Sequence, residues 1–188
     1  MSQTPGNLVE QVQKTAKNAS QPPIDKWHPE LSGDMDLRIS RDGQWIHKGE
    51  PLGREAIVKL FSTILRREDD GHYYLVTPVE KWRIQVEDTP LLAHSLTVEG
   101  SGEQQIIRLT TNVGETIEVG DGHALEVGSY EGSGLPRPIV RVRNGLVARL
   151  VTAAYYDLVD HVVEQIMDGT AVLGVFSHGN FYEIGQGG

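Results

Sequence analysis

The chain has 188 residues, 23% of them charged and 38% hydrophobic, the make-up of an ordinary folded protein rather than a disordered one. Its net charge of −9 works against non-specific nucleic-acid binding, which draws its affinity from Lys and Arg on phosphates, and against anionic membrane surfaces. With no cysteine, it has no disulfide, no thiolate nucleophile and no cysteine-bound zinc.

Residues 1–26 read as a lead-in. Leu8 and Val12 are spaced for one helical stripe. Pro22-Pro23 opens an extended segment, in which Trp27 is expected to plug the core. Asn18-Ala19-Ser20 has the pattern of a glycosylation acceptor, but no secretory signal precedes it and the match reads as chance.

A first subdomain is expected over residues 27–90. Strand-like runs at 37–40 and 44–47 form a hairpin across Asp42-Gly43. Ile57, Leu60, Phe61, Ile64 and Leu65 then recur at helical spacing. They predict a helix over 54–68, with Arg66 and Arg67 in its last turn and Gly71 as its C-cap. Strands over 72–77 and 82–87 flank the short connection Pro78-Val79-Glu80-Lys81.

Residues 91–188 read as a second, β-rich subdomain. Hairpins are predicted for 93–99 with 105–111, and for 115–119 with 123–127. A Gly/Pro-rich connection ends in Pro136-Arg137-Pro138, which cannot enter a central strand. A further hairpin, 139–142 with 146–149, turns across Asn144-Gly145. A helix over 152–167 follows, with Thr152 as N-cap and Tyr155, Leu158, Val159, Val162 and Ile166 on one stripe. Strands at 171–176 and 181–184 close the chain.

Strand, turn, strand, helix, strand, strand is thus written twice, at a spacing too long for a solenoid. The fold class that follows is α+β: two related small subdomains, each with antiparallel strands and one packed helix. Superposing the two turns sets Ile39 on Arg141, which gives the leading strands opposite hydrophobic phase. Either a bulge restores the phase or the repeat is one of architecture alone. Two related halves make a seam, and seams favour ligands.

The chemistry-bearing residues are sparse. No Gly-x-Ser-x-Gly elbow and no His-Glu-x-x-His spacing occur, and the seven histidines are scattered. Gly120-Asp121-Gly122 opens no helix, which rules out a dinucleotide cradle. Neither a metal nor a cofactor is expected, although Asp34, Asp36, Asp42 and Glu50 leave a weak hard-cation alternative. Two features remain. Glu80 and Lys81 sit beside Pro78 on a stiff connection that suits ligand orientation, or else serves as a plain turn with solvated charges. Arg137, Arg141, Arg143 and Arg149 form a basic island in 132–151, either an anion site or four arginines paired with nearby carboxylates.

Several segments in combination carry a resemblance: Ser32-Gly33-Asp34-Met35-Asp36-Leu37-Arg38-Ile39, Arg41-Asp42-Gly43-Gln44-Trp45, Thr77-Pro78-Val79-Glu80-Lys81, Thr111-Asn112-Val113-Gly114, Pro136-Arg137-Pro138 and Ala154-Tyr155-Tyr156-Asp157-Leu158. From Trp27 onward the chain resembles the bacterial domain-of-unknown-function family numbered twelve eighty-five. The resemblance implies a duplicated core whose second half is pleckstrin-homology-like. It also implies a nucleotide-like ligand between the halves and a place in signal transduction. Such sequences often carry Cys where this chain has Ser32, so no role can rest on a thiol there.

The function expected is that of a non-enzymatic regulatory domain binding a nucleotide-like or other anionic molecule. Its ligand residues would be Pro78, Glu80, Lys81, Arg137 and Arg141, with Trp45 or Tyr156 stacking a base. A protein-interaction module with a protein partner and no small molecule is the second reading, and an enzyme with a site assembled across the seam is the third. No nucleic acid, no membrane and a cytoplasmic location complete the expectation.

Overall fold

The computed structural model describes residues 5–15 and 21–187, so Asn18-Ala19-Ser20 lies outside the described residues. The protein is α+β and divides into two similar halves, each with a mixed sheet and a packed helix. Unit 1 comprises Met1–Pro90 with the short segment Asn144–Leu146, and unit 2 comprises Leu91–Arg143 with Val147–Gly188. Among the described residues no helix is long and apolar enough to cross a membrane.

Unit 1 opens with α1 (Pro5–Thr15), whose Leu8 and Val12 are the buried stripe expected of them. The strands are β1 (Leu31–Ile39), β2 (Trp45–His47), β3 (Glu50–Pro51), β4 (Leu65–Arg67), β5 (Tyr73–Val76) and β6 (Lys81–Val86), with α2 (Glu55–Thr63) between β3 and β4. They form one sheet in the order β3-β2-β1-β6-β5-β4, in which β1 and β6 run parallel and every other pair antiparallel. Met35, Leu37 and Ile39 alternate onto one face of β1. They pack there with Trp45, Phe61, Ile64, Leu75, Ile84 and Leu146, and Trp27 covers the edge of the cluster. Each such large apolar side chain contributes about 1.5–3 kcal/mol when fully buried.

The first helix is shorter than its apolar spacing predicts. It ends at Thr63, and Leu65–Arg67 is strand β4, hairpinned to β5 through Leu65↔Leu75 and Arg67↔Tyr73. Ser62 and Thr63 turn their hydroxyls back onto the carbonyls of Lys59 and Leu60 at 2.6 Å each, a local bond that favours helix ends over interiors. Arg66 and Arg67 therefore belong to a strand, not to a helix terminus. Gly71 sits in the β4–β5 turn rather than capping a helix.

Unit 2 contains β7 (Leu91–Glu99), β8 (Ile106–Thr111), β9 (Thr116–Glu118), β10 (Leu125–Ser129), β11 (Pro136–Arg141) and β12 (Val147–Leu150). These are followed by α3 (Thr152–Val159), β13 (Val163–Met167), β14 (Thr170–Ser177) and β15 (Asn180–Gln186). The first six strands form a sheet in the order β10-β11-β12-β7-β8-β9, with β12 parallel to β7. The predicted hairpin of 115–119 with 123–127 is reduced to a single bridge, Gly120↔His123. β9 and β10 are the two ends of the sheet, so this bridge brings its ends together at one corner and the sheet curls around its core. Leu91, Ile107, Leu109, Val140, Ala148 and Leu150 line that core, and Ala154 and Leu158 of α3 pack against them.

The second helix is also overextended by the sequence pattern. It stops at Val159, and Val163–Met167 is β13, the first strand of the antiparallel sheet β13-β14-β15. Ile166, placed by its spacing on the helical stripe, is exposed on that strand. Thr152 is the first helical residue, and Val151 occupies the N-cap position without a side-chain bond.

The phase mismatch between the repeats is real, and no bulge in either hairpin repairs it. Ile39 pairs with Trp45 across one five-residue loop, and Arg141 pairs with Val147 across another of the same length. The pairing is equivalent, yet Ile39 and Trp45 are buried while Arg141 is exposed and the buried positions become Pro138, Val140 and Val142. A one-residue shift in the apolar pattern has exchanged the wet and dry faces of the same hairpin.

Candidate functional site

The connection Thr77–Lys81 is stiff, as its Pro suggested. Buried Thr77 accepts hydrogen bonds at its hydroxyl from the Glu80 and Val79 amides at 3.0 and 3.4 Å, and its own N–H donates to the Glu80 carbonyl at 2.9 Å. The Lys81 amide donates to the Ser32 hydroxyl at 3.2 Å. The two adjacent charges then part company. Glu80 receives a hydrogen bond from Gln11 of α1 at 3.2 Å, whereas Lys81 reaches Glu68 at the end of β4. Pro78 is exposed at the apex.

Lys81 belongs to a buried polar assembly that lines an open cleft of about 630 Å³ within unit 1. Its ammonium lies 3.1 Å from Glu68 and 4.8 Å from the centre of the Tyr74 ring. Arg66 donates to the same carboxylate at 2.5 Å and to the carbonyls of Ile24 and Trp27 at 2.8 and 2.9 Å. The Tyr74 hydroxyl donates to Asp70 at 2.5 Å, and the His72 amide donates to the other Asp70 oxygen at 2.9 Å. Arg67, next to Arg66 on the strand, points the opposite way, is exposed, and lies 6.0 Å from the centre of the Tyr73 ring. Asp25, His28, Asp69 and Asn144 complete the rim.

These contacts move the titrating groups away from neutrality. Burial pushes the Glu68 carboxyl up, but hydrogen bonds from Arg66 and Lys81 outweigh it and hold the group below its ordinary value. The Tyr74 hydrogen bond, then the His72 amide, lowers Asp70. The same bond to Asp70, followed by burial, pushes Tyr74 up to about 12.

The remaining expected ligand residues are dispersed. Trp45 is 2% exposed and packs at 6.2 Å against Phe61, so its ring has no face open to a base. Tyr156 is 65% exposed on α3. Arg137 sits 5.8 Å from the centre of the Tyr130 ring. Arg141 is paired with Glu126 at 2.8 Å, and Arg143 with both oxygens of Glu115 at 3.2 Å. For these last two arginines the ion-paired alternative describes the island. A larger hollow of about 740 Å³, also in unit 1, is lined by Asp34 and Arg83, which are closed on each other as an ion pair.

Arg66, Glu68, Asp70 and Tyr74 escaped notice in the sequence because Arg66 and Arg67 had been absorbed into a helix end. The available signal was strand alternation: in Leu65-Arg66-Arg67 one arginine faces the body and the next faces solvent.

Two family models cover almost the whole chain. Residues 22–89 match "Domain of unknown function (DUF1285), N-terminal domain", and residues 90–184 match "Protein of unknown function (DUF1285), C-terminal domain". A crystal structure of a DUF1285 family protein from Silicibacter pomeroyi DSS-3 is similar, with 38% identity and a TM-score of 0.84, over 95% of this chain and 94% of that one. Another, from Shewanella baltica OS155, has 29% identity and a TM-score of 0.52, over 67% of this chain and 91% of that one. No curated protein matches the chain.

Proposed function

The chain belongs to the DUF1285 family, and from that premise we propose that its first unit binds a small molecule carrying an anionic group, in the cleft bounded by Lys81, Arg66, Arg67 and His28. The observation that carries this reading is the division of labour among the three cations. Arg66 and Lys81 are held by Glu68 and fix the wall. Among the described residues Arg67 has no carboxylate partner and stands over Tyr73 at the opening. A guanidinium backed by an aromatic ring is a ready receptor for phosphate or carboxylate. Asp25 and Asp69 on the rim supply acceptors for an amino or hydroxyl group, so a molecule with an anion at one end and donors at the other, as in a nucleotide, matches both.

The cleft volume falls within the range of about 300–1,000 Å³ usual for small-molecule sites. Glu68 and Asp70 stay ionised and Tyr74 stays protonated through neutral pH, which suits recognition better than proton transfer. The reading is therefore of a sensor or regulatory domain.

A thermal-shift and calorimetric screen of nucleoside phosphates and small carboxylates tests it, with Arg67→Ala as the control. The expected result is stabilisation of the wild type and at least a tenfold loss of affinity in the variant. No stabilising compound, or equal binding by both proteins, overturns the reading.

A further inference from the structure

Five of the six sheet edges in this protein carry a device that discourages further strand pairing. β3 is two residues long and contains Pro51, and β4 is three residues long with two arginines. β9 is three residues long and ends in Glu118, which is paired with Arg108 and His178. β10 carries Glu126, paired with Arg141, together with Gly128. β15 is bulged against β14. Short length, charge, proline and bulges are the usual protections of an open edge.

β13 has none of the strong ones. Its five residues pair with β14 in unbroken register, and it contains no Pro, Lys or Arg. On it, Val163, Ile166 and Met167 are 42%, 68% and 48% exposed. Alternation puts Val163 and Met167 on one face and Ile166 on the other, so apolar side chains meet solvent on both sides of an open row of backbone groups. Tyr156 and Val159, exposed on the preceding helix α3, add to the apolar surface of this stretch of chain.

We propose that β13 is the contact through which two copies of this chain associate, antiparallel and about a two-fold axis at Gln165, so that the three-stranded sheet becomes six-stranded. Charge selects a second copy as the occupant. Two chains of net charge −9 repel, and a self-association surface must keep acids from facing acids. β13 contains a single carboxylate, Glu164. In the register centred on Gln165, Val163 stands opposite Met167 of the other copy, and Glu164 stands opposite Ile166. Each contact occurs twice, as an isologous interface requires. No like charges meet, and the exposed apolar residues at the strand's ends cover one another.

Sedimentation velocity over a concentration series, on the full chain, tests both the association and its register. The wild type is expected to form a dimer. Ile166→Glu places two acids opposite Glu164 and is expected to weaken the dimer by about tenfold or more. Ile166→Lys is expected to retain it, and the double variant Glu164→Lys/Ile166→Glu is expected to recover it. Ile166 is mostly exposed, so the fold should survive, with circular dichroism as the check. Should Ile166→Glu fail to fold, Gln165→Glu brings two acids together on the axis and is expected to weaken the dimer in its place. A wild type that stays monomeric overturns the proposal, as does a dimer that responds equally to Ile166→Glu and Ile166→Lys. Capture of a different protein by a monomeric wild type through this strand also overturns it.

Discussion

Ile107 and Val119 face each other at the end of β8, but only one of their two backbone hydrogen bonds is direct. Val119 N–H donates to the Ile107 carbonyl at 2.9 Å. In the other direction the buried hydroxyl of Ser177, from the end of β14, is inserted: Ile107 N–H donates to it at 3.0 Å, and it donates to the Val119 carbonyl at 2.7 Å. One side chain thus completes the ladder of the curled sheet and fastens the three-stranded sheet to it. Ser177→Ala would leave a buried amide and a buried carbonyl unpaired. Urea unfolding is expected to show a loss of about 1–3 kcal/mol, with no change at the exposed control Ser133→Ala.

Gly174 marks the bulge between β14 and β15, and a Cβ there would come within 2.4 Å of both Phe181 and the Tyr182 carbonyl. Gly174→Ala should therefore lower stability by about 1–3 kcal/mol through overpacking. Gly185, on the partner strand, has open space at the same atom, and Gly185→Ala should be nearly silent. Comparable melting temperatures for the two variants would refute the argument.

Lys81 and Glu68 are only 18% and 24% exposed, between the regimes of surface and buried ion pairs. Lys81→Met keeps the stem over Tyr74 and removes the charge. We expect a loss of about 1–3 kcal/mol, intermediate between those regimes. The double variant with Glu68→Gln should lose less than the sum of the two singles, and a strictly additive cycle would show that the pair does not couple.

The pH dependence of stability has two limbs with opposite signs. Glu68 titrates below its ordinary value of 4.5 in the folded protein, so its contribution is present above that value and is lost as pH falls through the lower folded one. Tyr74 is raised from 10.0 to about 12, so its contribution is present below 10.0 and is lost as pH rises through about 12. Tyr74→Phe should flatten the alkaline limb while leaving the Glu68 limb in place. Denaturant midpoints measured against pH would reveal both, and an unchanged alkaline limb in the variant would count against the Tyr74–Asp70 bond.

Much of the fold was legible because turns are local. Asp42-Gly43 and Asn144-Gly145 mark their hairpins by chemistry contained in two residues, and Leu8 and Val12 needed only one stripe. Helix ends were harder to place. Ile64-Leu65 and Val162–Ile166 continue an apolar rhythm that a helix or a strand can use, and the β5 and β14 partners that decide the matter lie elsewhere in the sequence. Site chemistry was the least visible. Lys81 was identified, but its carboxylate is thirteen positions away, and the carbonyls that hold Arg66 are 42 and 39 positions away. Trp45 looked like a stacking surface only because sequence does not show burial.

The two hairpins with equivalent pairing and opposite dry faces place a limit on how freely the halves can be recombined. Grafting the side chains of 37–47 onto 139–149 would keep every backbone partner. It would nevertheless turn Ile39 and Trp45 outward at the places now held by Arg141 and Val147, and set Arg38 inward where Val140 is buried. The halves share a backbone template but are not interchangeable parts. A search for ancestry that aligns them residue by residue, scoring apolar against apolar, will penalise the very register that the backbone shares.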